Sequence, residues 1–277
     1  MIAACVVSSL NDVLTKYLGG RLPAIEISFF RFFFGALLLW PFFMIRGKKT
    51  FGTNYLTVHI IRSFLLILAM TAWSYGVIFL PLTLSTVISF TTPLFILPLA
   101  AIFLGEYCSW QRSAATFLGF VGVAISLYPI KDNFNSMTVS LLGSTILFAL
   151  LDIINKKLLI ENEDLLSMLF YSAIGTAILG VVPTLLMWIT PTFEECFFLL
   201  LLSGGSMLIL FCLLSAFSSA EISSLQPFRY TEFIFSGICG GLIFRESPKI
   251  SIFFGMTLIV LSTFYIAIHE INQRQKI

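Results

Sequence analysis

Two short stretches place an acid and a base one helical turn apart within apolar sequence: NDVLTKYL at residues 11–18 and LDIINKKL at residues 151–158. Asp12 precedes Lys16 by four residues, Asp152 precedes Lys156 by four, and the two copies lie 140 residues apart. On a helix that spacing puts both groups on one face. Mutual neutralisation near the helix ends is the cheapest reading; a gate that opens as the two helices tilt is the functional one. A second cluster is formed by Gln226, Arg229 and Glu232, which present an amide and both signs of charge to a central cavity. Arg31 stands alone within FFRFFFG. Ionisable groups in hydrocarbon cost roughly 2.5–3.5 kcal/mol each on insertion scales, so each calls for a partner or a wet cavity.

Depth sorts these groups. Lys16, Glu26, Arg62, Lys156, Lys157 and Glu221 fall within about two turns of an expected helix end, where long side chains reach the headgroups. Arg31, Arg229 and Glu232 sit deeper, and Asp12 and Asp152 are too short to reach far. These five are read as cavity-facing, with a structural ion pair as the competing role. Polar-tipped aromatics beside them, namely Trp73, Tyr75, Tyr171 and Tyr230, offer faces for cations and planar rings; most of the thirty phenylalanines serve lipid contact and packing. Pro93 and Pro227 predict helix breaks, because proline removes a backbone hydrogen bond and a break in lipid is tolerated only beside protein or a cavity.

The elements that must hold these residues are long apolar segments, placed near 2–18, 24–45, 56–79, 82–104, 111–129, 138–158, 164–187, 194–217, 219–244 and 250–269. The 140-residue offset also lays Gly105-Glu106 on Arg245-Glu246 and Phe30-Arg31 on Phe170-Tyr171. The expected fold is therefore an all-α integral membrane protein of ten transmembrane helices in two five-helix halves, residues 1–130 and 137–270. Five being odd, the second half enters from the opposite side, as in secondary transporters built on inverted repeats. Arg46, Lys48, Lys49, Arg112, Lys156, Lys157, Arg274 and Lys276 outnumber Arg21, Lys131, Arg245 and Lys249 on the other side, which puts both termini in the cytoplasm.

Composition excludes much else. The chain has 277 residues, 58% hydrophobic and 11% charged, with mean hydropathy +0.99, outside the range of soluble domains. Its longest basic cluster is Arg46-Gly47-Lys48-Lys49, too little for nucleic acid. Five scattered cysteines without CxxC spacing read as packing residues, and no metal or cofactor is expected. The first apolar run opens at residue 2, which suggests a start upstream. Neither His59 nor His269 sits in HExxH or beside paired aspartates, so an intramembrane enzyme is disfavoured; mixed-sign polar residues disfavour a channel.

Taken together, the ten segments, the repeat and the Pro and Glu positions resemble the drug/metabolite transporter superfamily, EamA type, over essentially the whole chain. The strings NDVLTKYLGG, FFRFFFG, LDIINKKLLI, SMLFYSAIGTAI and PFRYTEF are similar to one branch, the bacterial S-adenosylmethionine uptake transporters. That resemblance implies the bacterial inner membrane and uptake of S-adenosylmethionine by alternating access, with S-adenosylhomocysteine as a counter-substrate. Glu232 or aromatic faces would then hold the sulfonium, Arg31 or Arg229 the carboxylate. Export of an amino acid or another small metabolite is the alternative within transport. Oligomeric state is left open.

Overall fold

Residues 2–46, 52–104, 110–126, 135–219, 229, 231–246 and 249–274 are described by a computed structural model. Among them run eleven helices: α1 Ile2–Leu18, α2 Ala24–Arg46, α3 Leu56–Phe79, α4 Leu82–Ser89, α5 Thr92–Leu104, α6 Trp110–Ser126, α7 Ser136–Ile160, α8 Leu165–Leu186, α9 Phe193–Ser219, α10 Thr231–Phe244 and α11 Ile250–Arg274. Their ends follow local chemistry. Asn135 caps α7 by accepting from the Met137 and Thr138 amides, both at 3.1 Å, and Asp164 caps α8 through the Ser167 amide at 3.1 Å; such caps satisfy amides with no intrahelical partner. Pro81 starts α4.

Between α4 and α5 the chain breaks at Phe90 and Thr91, just ahead of Pro93. Proline has no N–H to donate, so a helix running through Pro93 would lose a bond of its ladder at this point. Thr91 compensates: its hydroxyl bonds the Ile88 carbonyl at 2.7 Å and the Thr145 hydroxyl at 3.0 Å. Pro41, Pro98 and Pro183 lie inside helices that continue past them, while Pro227 falls outside the described residues.

Polarity is arranged the opposite way from a soluble protein. Phe193 is 94% exposed and Leu186 81%, whereas Glu26, Ser28, Arg31, Arg62, Thr145 and Ser203 are buried. An apolar exterior around a polar interior is what a lipid environment requires. Six stretches, Ala24–Ile45, Leu56–Phe79, Leu82–Phe103, Ser136–Ile160, Leu165–Leu186 and Phe193–Ser219, are long and apolar enough to cross a bilayer. The chain is an all-helical, multi-pass membrane protein.

Helix neighbours follow a reciprocal plan. Helix α1 packs on α9 and α10, and α7 packs on α3, α4 and α5; α2 packs on α9, and α8 on α3; α2 faces α8, α4 faces α10, and α6 faces α11. Exchanging α1 with α7, α2 with α8, α3 with α9, the α4–α5 unit with α10, and α6 with α11 returns the same set. The α6–α11 contact depends on glycine: a Cβ at Gly255 would strike Ser126 and the Gly122 carbonyl, and one at Gly122 would lie 2.7 Å from the Gly255 carbonyl. Small residues permit such approach in membranes. Gly255→Val should destabilise the protein by about 1–3 kcal/mol, read as a lower melting temperature in detergent; an unchanged melt would show that the helices separate without penalty.

Candidate functional site

A cavity of about 200 Å³ opens between α1, α2, α3, α7, α9 and α10. Six of the residues expected at a site line it: Asp12, Arg31, Trp73, Asp152, Arg229 and Glu232. All but Arg229 arrive from apolar helices. Asp12, 5% exposed, accepts the Trp73 indole N–H at 2.9 Å. Arg229 donates to Asp152 at 2.9 Å, a largely buried ion pair between α7 and a residue two positions ahead of α10. Glu232 is held twice: its backbone carbonyl accepts from the Ser9 hydroxyl at 3.3 Å, and its side chain is hydrogen-bonded to Ser8.

Arg31 stands apart. It is 2% exposed and donates to the Thr15 hydroxyl at 2.6 Å and to the Met70 sulfur at 3.6 Å. Its Nε has no hydrogen-bond partner. Among the described residues no carboxylate lies within ion-pairing distance of it, although Asp12 is within electrostatic reach. Arg31 thus brings a positive charge to the cavity wall, and a guanidinium there can bond an anionic ligand group.

The intrahelical pairs Asp12–Lys16 and Asp152–Lys156 are replaced by contacts between helices. Lys16 bonds Glu246 Oε1 and the Leu80 carbonyl, both at 2.6 Å, with the Phe244 ring 5.2 Å away. Glu246 Oε2 in turn accepts the Leu82 amide at 2.8 Å. Lys156 donates to the Phe217 carbonyl at 2.8 Å. Each lysine is long enough to reach the C-terminal carbonyls of a neighbouring helix, where the helix dipole favours cations. The aspartates, shorter and on the cavity side, find Trp73 and Arg229 instead.

Tyr75 and Tyr171 are not on the cavity wall. Leu66, Met70 and Trp73 form the lining face of α3, and Tyr75, about 200° round the helix from Trp73, packs on Phe79. Tyr171 precedes the lining residue Ser172 and stacks on His59 at 4.5 Å. Gln226 and Tyr230 lie outside the described residues.

Two assignments to headgroups are corrected. Arg62, 2% exposed, lines the cavity and donates to Asn155 at 2.8 Å and Ser172 at 3.1 Å, while meeting His59 Nδ1 at 2.9 Å. His59 continues the chain to Glu163 at 3.1 Å. Glu26 is buried and accepts the Ile189 amide at 3.2 Å. Distance from a helix end misjudged both, because their helices present that face to protein rather than lipid. Asn11, Phe148 and Asn155 also line the cavity and were not singled out by sequence. For Asn155 a signal exists: the 140-residue offset lays Thr15 on Asn155, and these two residues receive Arg31 and Arg62.

The sequence model of the EamA-like transporter family matches residues 1–128. Across nearly the whole chain, the S-adenosylmethionine uptake transporter of Rickettsia bellii is 44% identical over 269 residues, covering 97% of this chain and 92% of that protein. The chain belongs to the EamA-like transporter family. The Rickettsia prowazekii protein of the same description is 42% identical over 97% of this chain and 91% of its own length. A more distant member, the riboflavin transporter of Brucella anthropi, is 25% identical over 96% of each chain. A solved crystal structure superposes with TM-score 0.70 at 14% identity, covering 96% of this chain and 95% of the other, which shows a shared fold. As an EamA-like family member the protein is a membrane transporter of small molecules and not an enzyme.

Proposed function

We propose that the protein takes up S-adenosylmethionine across the bacterial inner membrane by alternating access, with both termini in the cytoplasm. The 42–44% identity to uptake transporters of that substrate over 97% of this chain carries the reading. The cavity chemistry agrees: among the described residues Arg31 has no carboxylate within ion-pairing distance and can pair with the amino acid carboxylate, whereas Arg229 is committed to Asp152. That difference favours Arg31 over Arg229 as the carboxylate partner. Saturable uptake of radiolabelled S-adenosylmethionine by cells making the protein, competed by unlabelled S-adenosylmethionine and not by common amino acids, is the expected result. Absence of saturable uptake would sink the proposal, and outward movement of preloaded substrate alone would favour the exporter reading.

The mechanism rests on ten spans forming two inverted halves. Support comes from the reciprocal neighbour plan, from the parallel placing of Lys16 and Lys156 on carbonyls ending α3 and α9, and from a family match confined to residues 1–128. The cavity is lined by Cys5 and Asp12 of α1, Arg62 of α3 and Asn155 of α7, on the side where α1 begins and α7 ends. The Lys16–Glu246–Leu82 knot lies towards the other end of α1 and acts as the closed gate of the outer face. Breaking it with Glu246→Gln should shift the population toward the outward-open state. With Cys5 as the sole cysteine, labelling from the cytoplasmic side should slow by about fivefold, the effect of a modest population shift. Unchanged labelling would remove the knot from the gating cycle.

A further inference from the structure

Asp12 is the least explained charge in the cavity. It is 5% exposed, lines the wall, and has one hydrogen bond, from the Trp73 indole. Among the described residues no lysine, arginine or histidine lies within ion-pairing distance of it, although Arg31 is within electrostatic reach. Trp73 and Phe148 line the same cavity and pack edge to face, with centroids 6.3 Å apart. A second carboxylate, Glu232, borders the cavity within electrostatic reach of Asp12. Two carboxylates beside two aromatic rings, with no cation within ion-pairing distance of either among the described residues, although Arg229 is within electrostatic reach of Glu232, make a place for a cationic group of a ligand.

We infer that Asp12 with Trp73 and Phe148 forms the subsite for the sulfonium of the substrate, an inference that rests on the substrate proposed above. The chemistry selects the sulfonium over the ammonium. A sulfonium has no N–H or O–H, so it is recognised by charge and by aromatic faces alone. An ammonium carries three donors and asks for acceptors placed to receive them. Asp12 receives the indole N–H on one oxygen, which fixes its orientation, and what suits its surroundings to a sulfonium is the pair of aromatic faces, Trp73 and Phe148, beside that charge. Arg31 stands within electrostatic reach of Asp12 without bonding it, matching a ligand whose carboxylate and sulfonium are a short carbon chain apart. Glu232 then remains available to the ammonium.

Discrimination between a sulfonium and its neutral thioether tests this assignment. Binding of S-adenosylmethionine and S-adenosylhomocysteine is measured on the purified full chain in nanodiscs, for the wild type, Asp12→Asn, Asp12→Glu and Trp73→Leu. Asp12→Asn should weaken S-adenosylmethionine by about tenfold or more and S-adenosylhomocysteine by less than about threefold, because only the sulfonium loses a charge partner. Asp12→Glu should recover part of the preference. An unchanged ratio of the two affinities in Asp12→Asn overturns the subsite and leaves the substrate proposal standing. A wild type that binds no S-adenosylmethionine overturns the substrate proposal and the subsite with it. Should Asp12→Asn fail to fold, Trp73→Leu decides: a loss greater for the sulfonium than for the thioether supports the subsite, and an equal loss overturns it.

Discussion

Arg31→Ala is expected to abolish saturable uptake while the protein remains at wild-type level in the membrane. The two halves of that expectation have separate physical grounds. Truncating a charged group that pairs with a desolvated ligand charge costs about 2–5 kcal/mol, which corresponds to a fall of roughly 30-fold to several thousand-fold in affinity. Folding is spared because, among the described residues, Arg31 satisfies no carboxylate within ion-pairing distance, and its removal frees the Thr15 hydroxyl and the Met70 sulfur. Thr15 keeps its own bond to the Asn11 carbonyl at 2.8 Å. Arg31→Lys should retain charge and lose the planar fork, giving uptake between the wild type and alanine. Initial uptake rates normalised to immunodetected protein provide the measurement. Normal uptake by Arg31→Ala would place the carboxylate site elsewhere.

The contrast between Arg31 and Arg229 also marks how far the sequence could be read. Sequence reads both as deep and cavity-facing, Arg31 alone and Arg229 three residues before Glu232, and offers either for the carboxylate. What separates them is a partner 77 residues away in the chain, Asp152, and the Asp12–Trp73 bond spans 61 residues. Spacing of three or four residues reports only neighbours on one helix, so it suggested Asp12–Lys16 and Asp152–Lys156, which the bundle replaces with contacts across helices. By contrast, helix limits such as Ile2–Leu18 and Leu56–Phe79 were legible, because hydrophobic runs bounded by Gly19-Gly20 and Pro81 are local properties. The charged wall residues were legible for a related reason: an ionisable group inside an apolar run has few places to go. Arg62 shows the limit of that argument. Its depth along α3 resembles that of a headgroup contact, and only the rotation of α3 against α7 and α8 turns it toward Asn155 and Ser172. Phe148, one of thirty phenylalanines, carries no mark in sequence that separates a cavity ring from a lipid-facing one.

Neutralising Asp152 or Arg229 singly should lower the amount of folded protein, and neutralising both should restore it. Their side chains are 10% and 18% exposed and meet at 2.9 Å. Removing one partner of a buried pair leaves an uncompensated charge and costs about 3–5 kcal/mol, whereas replacing both is often neutral. Arg229→Gln and Asp152→Asn should each lower the melting temperature in detergent and the membrane level. In Asp152→Asn/Arg229→Gln two amides can hydrogen-bond each other without net charge, so the melt should return toward the wild type and uptake with it. The same substitution at Asp12 should behave differently: its bonded partner, the Trp73 indole, is neutral, and Arg31 keeps its bonds to Thr15 and Met70, so Asp12→Asn breaks no ion pair and acts chiefly on substrate. A double variant as unstable as either single one would show that the pair is not what holds α7 to the start of α10. Recovery of the fold without recovery of uptake would move Asp152 or Arg229 from holding the wall to touching the cargo. The repeated Asp is thus expected to serve two ends, ligand charge at Asp12 and helix anchorage at Asp152, because the partner facing each one differs.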